Sequence, residues 1–173
     1  MVETVEIASV AHGGHGVGRI EGRVCFVPYA LPGDTVRVHI ERESKGVLWG
    51  RIDEVLTPSP DRCEAACPVF QWCGGCSWLH FTYPAQAWAK QRIVQDCLER
   101  IAGIEAGPDW AEDAALRLGY RTRAEFQYDG EHRGFHALGT RRVVDIERCP
   151  LCHDKLNAAL SLLREVAYKG PVE

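Results

Sequence analysis

Eight cysteines among 173 residues constrain this chain more than any other feature of its sequence. Four fall in one stretch, Cys63, Cys67, Cys73 and Cys76, and two more form the motif Cys149-Pro-Leu-Cys152. The opening segment MVETVEIASV carries acidic residues where a signal peptide needs a basic start and an apolar core, so we expect a cytoplasmic protein. Thiols stay reduced in that compartment, where clustered cysteines bind metals or carry out redox chemistry more often than they form disulfides.

The spacing of the cysteines is compatible with two kinds of metal centre. Two CxxC pairs that are distant in sequence, Cys73/Cys76 and Cys149/Cys152, match a four-cysteine zinc site. A triplet in one loop with a distant fourth ligand is also the arrangement that holds an iron-sulfur cluster. The residues alone leave both metals open. A thioredoxin-type CGGC is disfavoured, because no βαβ pattern surrounds it.

Residues 5–56 carry the pattern of short strands separated by turns. Apolar and polar side chains alternate over residues 36–41, which is the period of a half-buried strand. Four or five such strands in so short a stretch predict a small closed barrel of the OB type. The proline-containing segment TPSPDR, residues 57–62, predicts a domain boundary.

The rest of the chain predicts two helices and a small sheet. A helix is expected from Pro84 to Ala102, ended by Gly103. Three strands are expected within residues 121–128, 132–138 and 141–147, and a second amphipathic helix within 154–168. This order predicts a sheet with a helix packed on one side. The stripe on the first helix is Val94, Cys97, Leu98 and Ile101, and that on the second is Leu156, Leu160, Leu163 and Ala167.

Composition excludes several classes of protein. The hydrophobic fraction of 46% and the charged fraction of 25% are those of a chain with a packed core. No apolar run is long enough for a membrane span. The net charge of -4 excludes a strongly basic nucleic-acid binder. Residues 117–148 are locally basic, because arginines outnumber acidic residues there.

Several motifs resemble the RNA uracil-C5 methyltransferases, which make 5-methyluridine in 23S rRNA and tRNA. SPDRCEAACPVFQWCGGCSWLHF, followed by TYPAQAWAKQ, resembles their cysteine signature; VAHGGHGVGRIEGRVCFVPYALPGDTV resembles their TRAM domain; and GYRTRAEFQ, GFHAL and VVDIERCP resemble their central domain. The resemblance implies a β-rich α+β fold, with a small OB-like TRAM β-barrel at residues 1–57 and an iron-sulfur-bearing α+β domain at 58–173. It also implies a [4Fe-4S] cluster on Cys67, Cys73, Cys76 and Cys149.

The same resemblance predicts a function. In that family a C-terminal domain binds S-adenosylmethionine, and no such domain is recognised here, so the cofactor is expected only in the full-length family. We therefore expect the RNA-binding, [4Fe-4S]-containing recognition half of a SAM-dependent RNA (uracil-5-)-methyltransferase-like protein, acting on rRNA or tRNA and not catalytic alone. One alternative is a methyltransferase completed by a separate subunit; another is a zinc-stabilised interaction module. Self-association through the 84–102 helix is a third expectation, with no membrane partner.

Arginines that contact phosphates and aromatic rings that stack on bases are the expected RNA contacts. We expect Phe26, as well as Cys25 and Cys97, to lie in the core. The glycines at 14, 16 and 18 are followed by a strand and no helix, so they indicate a loop of the barrel and no dinucleotide site. The candidate RNA contacts are Arg19, Arg37 and Arg51 in the barrel, and Arg121, Arg123, Phe135, Arg141 and Arg142 in the second domain.

Overall fold

The computed structural model describes residues 1–109 and 117–166. Its chain divides into two compact units. The first unit is Met1–Glu64 with Ser77–Ala111, and the second is Ala65–Cys76 with Glu112–Glu173. No helix in the described residues has the length and apolar character that crossing a membrane requires.

Five strands of the first unit close into a barrel, as the sequence predicts. They are β1 (Val2–Val10), β2 (His15–Ile20), β3 (Arg23–Pro28), β4 (Thr35–Ser44) and β5 (Val47–Thr57), paired in the order β1-β2-β3-β5-β4. The β3–β5 pair is parallel and the other pairs are antiparallel, including the β1–β4 pair that closes the barrel. Closure leaves no free strand edge.

Alternating side chains of these strands fill the barrel. Val5, Val27, Val36 and Val38 are almost fully buried, and so is Cys25, as expected. Gly18 lies inside β2, not in the loop we predicted, and a Cβ there would overlap the Val5 side chain and lie 2.6 Å from the Glu6 carbonyl oxygen. The glycine is therefore required for close packing of β1 on β2.

A buried carboxylate ties the barrel to the segment that follows it. Asp34 accepts hydrogen bonds from the backbone N–H groups of Leu31 and Ser59, both at 2.9 Å, and from the Arg62 guanidinium. Burial acts to raise the pKa of Asp34, but these hydrogen bonds and the charge of Arg62 outweigh it and hold the pKa below its usual range. Burial, and then Arg62, lowers the pKa of the neighbouring His80 to about 4.

The first helix differs from its prediction in the face that it buries. Helix α1 spans Tyr83–Cys97 and continues into a π-helical turn, Leu98–Ala102, which Gly103 ends in the left-handed conformation as expected. Ala89 packs against Leu31 and Phe81. The predicted apolar stripe is largely exposed instead, and the expectation that Cys97 lies in the core is wrong. Small alanines, not the large apolar side chains, make the contact.

The second unit contains a small sheet and a helix. Strands β6 (Gln127–Tyr128), β7 (Arg133–His136) and β8 (Val143–Asp145) form an antiparallel sheet in that order, each shorter than predicted. Helix α2 spans Asp154–Glu165; Leu160 is buried and Leu163 is exposed, while Ala167 lies outside the described residues. Arg164 of α2 donates two hydrogen bonds, at 2.8 and 2.7 Å, to Asp145.

Candidate functional site

An aromatic pair lies on the outer face of the barrel. Phe26 of β3 and Trp49 of β5 are register partners, and their ring centroids are 4.8 Å apart with the planes inclined by 31°. Both side chains are half-buried, whereas their chain neighbours Cys25, Val27 and Leu48 point into the core. The prediction that Phe26 is a core residue is therefore wrong, because it has the opposite strand parity to Cys25 and Val27.

Positive charge on the barrel is unevenly neutralised. Arg37 pairs with Glu54, and Arg51 with Glu41 at 3.3 Å. Arg23 pairs with both Glu21 and Glu43, at 3.1 and 3.2 Å. A nearby carboxylate reduces the attraction of an arginine for phosphate.

Two exposed barrel arginines differ from these three. Arg19 donates to the Gly22 carbonyl oxygen at 2.8 Å, and the guanidinium of Arg42 lies 5.2 Å from the centre of the Trp49 ring. Within residues 1–109 and 117–166, neither of them has a carboxylate partner. Their charge is therefore more available to a phosphate than that of Arg23, Arg37 or Arg51.

In the second unit, four cysteines line one pocket. Cys67, Cys73 and Cys76 come from the loop before β6, and Cys149 follows β8. Cysteines from two distant parts of the sequence therefore line the same pocket. Arg121 and Phe135 contribute to the same lining.

The loop that carries three of these thiols is shaped by backbone hydrogen bonds. Cys73 N–H donates to the Val69 carbonyl oxygen at 2.9 Å, and Gly74 N–H donates to that of His136 at 2.9 Å. A Cβ at Gly74 would lie 2.9 Å from that same oxygen, so only glycine permits this approach. Packing of the loop thus explains the first glycine of the CGGC motif.

A buried asparagine holds the other side of the pocket. Asn157 of α2 accepts from the Cys149 N–H at 2.9 Å and donates to the carbonyl oxygens of Cys149 and Cys152, at 3.1 and 3.0 Å. All of its side-chain polar groups are therefore used by the Cys149–Cys152 turn. Asn157 is not among the residues predicted from the sequence; its position in the first turn of α2, soon after the cysteine motif, is the signal that could have found it.

The thiols of the pocket interact electrostatically. Burial, together with the charges of Cys149 and Cys73, raises the pKa of Cys76 to about 12. Burial likewise raises the pKa of Cys73 and brings that of Cys152 to about 11. Because metals bind thiolates, a metal ion would have to displace the protons of these thiols.

The described side chains do not form a metal site. Among residues 1–109 and 117–166, no three His, Cys, Asp or Glu side chains are grouped so that they could hold a metal ion. The function predicted from the sequence, a [4Fe-4S]-containing recognition half, is therefore wrong as stated, and the zinc-stabilised module fails on the same observation. Cys63 is not at the pocket; its thiol faces the Leu79 carbonyl oxygen at 3.6 Å.

The candidate RNA contacts are dispersed. Arg19 and Arg51 are exposed on the barrel and Arg37 is half-buried there. Arg121 and Phe135 belong to the thiol pocket, where Phe135 also packs on Phe126 at 5.2 Å. Arg123, Arg141 and Arg142 are exposed. Trp49 and Arg42 are not among the residues predicted from the sequence, although the alternation in VLWG and HIER could have placed them on the outer face.

Residues 2–52 match the TRAM domain family, which agrees with the five-stranded barrel. A protein of Halalkalibacterium halodurans named as an uncharacterised RNA methyltransferase is 35% identical over 96% of this chain. A 23S rRNA (uracil(1939)-C(5))-methyltransferase of Tolumonas auensis is 37% identical over 92% of it. The chain spans 37% of the length of each of these relatives.

A solved structure agrees with these matches. The crystal structure of Pyrococcus abyssi tRNA (uracil-54, C5)-methyltransferase, in complex with S-adenosyl-L-homocysteine, superposes with a TM-score of 0.65 at 25% identity. The match covers 93% of this chain and 36% of that protein. The resemblance found in the sequence is confirmed. Because relatives that align with nearly the whole chain are named as RNA methyltransferases, the alternative of a zinc-stabilised interaction module is not retained.

Proposed function

We propose that this chain, which belongs to the RNA methyltransferase family, binds the RNA on which a uracil-C5 methyltransferase acts. The match of residues 2–52 to the TRAM domain carries the proposal, together with relatives that are named for methylation of uracil in rRNA or tRNA. The RNA is then an rRNA or a tRNA. The methyl donor of the whole enzyme is S-adenosylmethionine, whose demethylated product accompanies the Pyrococcus abyssi enzyme.

The charges of the barrel support this role. Small barrels bind nucleic acids by combining cations that contact phosphates with rings that stack on bases. Arg19 and Arg42 are exposed cations without a carboxylate partner in the described part of the chain, and Phe26 and Trp49 supply rings on the same barrel. The net charge of -4 limits the number of phosphates that can be contacted.

The sequence also supplies the proposed domains, RNA contacts and cellular location. We assign RNA binding to a barrel domain at residues 1–57 and to a second domain at 58–173, whose candidate contacts are Arg121, Arg123, Phe135, Arg141 and Arg142. We also place the protein in the cytoplasm. Exposed apolar side chains on α1 and its π-helical turn, such as Trp88 and Ile101, give self-association a surface.

The assignment of the four pocket thiols as ligands of one metal centre stays a prediction. Cys67, Cys73, Cys76 and Cys149 line one pocket, which is the observation in favour of a common ligand. Metal analysis of protein purified without oxygen tests the assignment, with Cys97→Ser as the matched control because Cys97 is exposed outside the pocket. Metal that survives in the control and is lost in Cys73→Ser would support the assignment. Wild-type protein that contains no metal would contradict the assignment.

Titration of the full chain with RNA tests the proposed function. We expect fluorescence anisotropy to report binding of a labelled oligouridylate that weakens with salt, because phosphate contacts release counterions. Arg19→Ala should lower the logarithmic salt slope by about 0.7, the value for one contact to a single strand. Arg51→Ala should lower it less, because Glu41 already neutralises Arg51. An absence of binding to oligouridylate, tRNA and rRNA fragments at low salt would contradict the proposal.

A further inference from the structure

We propose that Phe26, Trp49 and Arg42 form a stacking site for one unpaired RNA base on the outer face of the barrel. This inference rests on the proposed function, and it names the place on the barrel where a base is held. The sequence patterns alone indicate no role for Trp49 or Arg42.

The three residues and Val17 form one row across four strands. Val17 of β2 is the register partner of Phe26 in β3, Phe26 is that of Trp49 in β5, and Trp49 is that of Arg42 in β4. Residues in register on neighbouring strands lie about 5 Å apart. The row therefore presents an apolar centre with a cation at one end.

The aromatic rings are not required to fill the barrel. The interior consists of small and medium apolar side chains, among them Val27, Val36 and Leu48, which point away from the row. Phe26 and Trp49 are half-buried outside this core, with their rings inclined by 31° and His15 meeting the Trp49 ring edge-on at 5.7 Å. A base can extend this set of rings, since every base offers a π-face whatever its sequence.

Charge identifies the occupant as nucleic acid. The guanidinium of Arg42 lies 5.2 Å from the centre of the Trp49 ring, a cation–π distance, and Arg42 is exposed. It is without a carboxylate partner in the described residues, in contrast to Arg23, Arg37 and Arg51. A base stacked on the rings would thus have an available cation beside it for its own phosphate.

Binding of two matched RNAs tests the site. One probe is a labelled ten-residue oligouridylate, and the other is the same ribose-phosphate chain with the bases removed, so the two differ in bases and not in charge. Trp49→Ala should weaken oligouridylate binding about 10-fold, because it removes one base-stacking contact. It should leave binding to the abasic chain unchanged. Trp49→Phe keeps a ring and should restore most of the affinity.

Two further variants separate stacking from charge and from folding. Arg42→Ala should lower the salt slope for both probes, whereas Trp49→Ala should leave the slope as it is. Trp72→Ala is the control, because Trp72 is an exposed tryptophan outside the barrel strands, and it should leave binding to both probes unchanged. If Trp49→Ala proves too unstable, Phe26→Leu, which removes a ring and keeps an apolar side chain, should show the same loss confined to oligouridylate.

The outcomes are distinguishable. Wild-type protein that binds neither probe and no tRNA or rRNA fragment at low salt refutes the proposed function, and this inference with it. Wild-type protein that binds tRNA or rRNA fragments but neither probe refutes the stacking site alone. Wild-type protein that binds oligouridylate, with Trp49→Ala and Phe26→Leu binding it equally well, refutes the stacking site and leaves the proposed function standing. A loss of equal size on both probes would show that Trp49 acts on structure or charge, and would also refute the site.

Discussion

Replacement of Asp34 by alanine should destabilise the barrel more than any other change of one carboxylate. Its side chain is fully buried, and it accepts hydrogen bonds from two backbone N–H groups and from Arg62, whose side chain is only 17% exposed. Removing one partner of a buried ion pair costs about 3–5 kcal/mol, because the other charge stays buried without compensation. That is a large part of the 5–15 kcal/mol by which domains are usually stable.

Urea unfolding followed by circular dichroism measures this loss. With a slope of about 1.5 kcal/mol per molar urea, a loss of about 3 kcal/mol lowers the midpoint by about 2 M. Asp34→Asn should lose less, since its amide oxygen can still accept one of the hydrogen bonds. Asp53→Ala is the matched control, because Asp53 is exposed on the same barrel and should change the midpoint little.

The same pair has a pH signature of known sign. The pKa of Asp34 is lowered in the folded state, so its ionised form stabilises the fold above the ordinary aspartate pKa of about 4. This contribution is lost as the pH falls through the folded pKa. Wild-type stability should therefore decline on acidification more steeply than that of Asp34→Ala. Equal midpoints for Asp34→Ala and Asp53→Ala, or parallel pH profiles of wild type and Asp34→Ala, would refute the reasoning.

Three other predictions test the packing. Gly18→Ala should destabilise the protein by about 1–3 kcal/mol, measured by urea unfolding, because the added methyl group overlaps the Val5 side chain. Gly107→Ala is the control and should be neutral, because a Cβ there meets nothing within 4 Å; equal effects of the two variants would contradict the close packing of β1 on β2. Asn157→Ala should lower the free energy of unfolding by about 1–3 kcal/mol, since it leaves the buried Cys149 N–H without a partner. It should also speed alkylation of Cys152, measured by mass spectrometry, with Ala158→Gly as a helix control; unchanged stability of Asn157→Ala would contradict the assigned hydrogen bonds. Iodoacetamide should modify exposed Cys97 well before Cys25, whose pKa burial raises; the reverse order would contradict the placement of α1.

The barrel could be predicted from the sequence because its strands repeat a simple period. Alternation over residues 36–41 and the turns around Gly22, Gly33 and Gly46 specify strand after strand, and each strand buries one face. The error at Phe26 came from reading an apolar residue as interior. Strand parity with Cys25 and Val27 contradicts that reading, and a closed barrel has an outer face on which aromatic residues can also lie.

The second unit was harder to predict for a physical reason. Its strands are two to four residues long, so hydrogen bonds between distant segments decide the structure more than period does. The Asn157 contacts to the Cys149–Cys152 turn and the Gly74 contact to His136 are examples. The cysteine spacing does not specify how the side chains of the two clusters are oriented, and in the described residues they are not grouped as a metal site.

Mapping of amide and indole NMR shifts on the full chain during titration with oligouridylate tests the central claim most directly. The account predicts that the largest changes fall on the outer row of the barrel, at Val17, Phe26, Arg42 and the Trp49 indole N–H. Core residues such as Val27 and Val36 should move little. Changes confined to the second unit, or no changes at RNA concentrations in the high micromolar range, would contradict the claim that this barrel binds RNA.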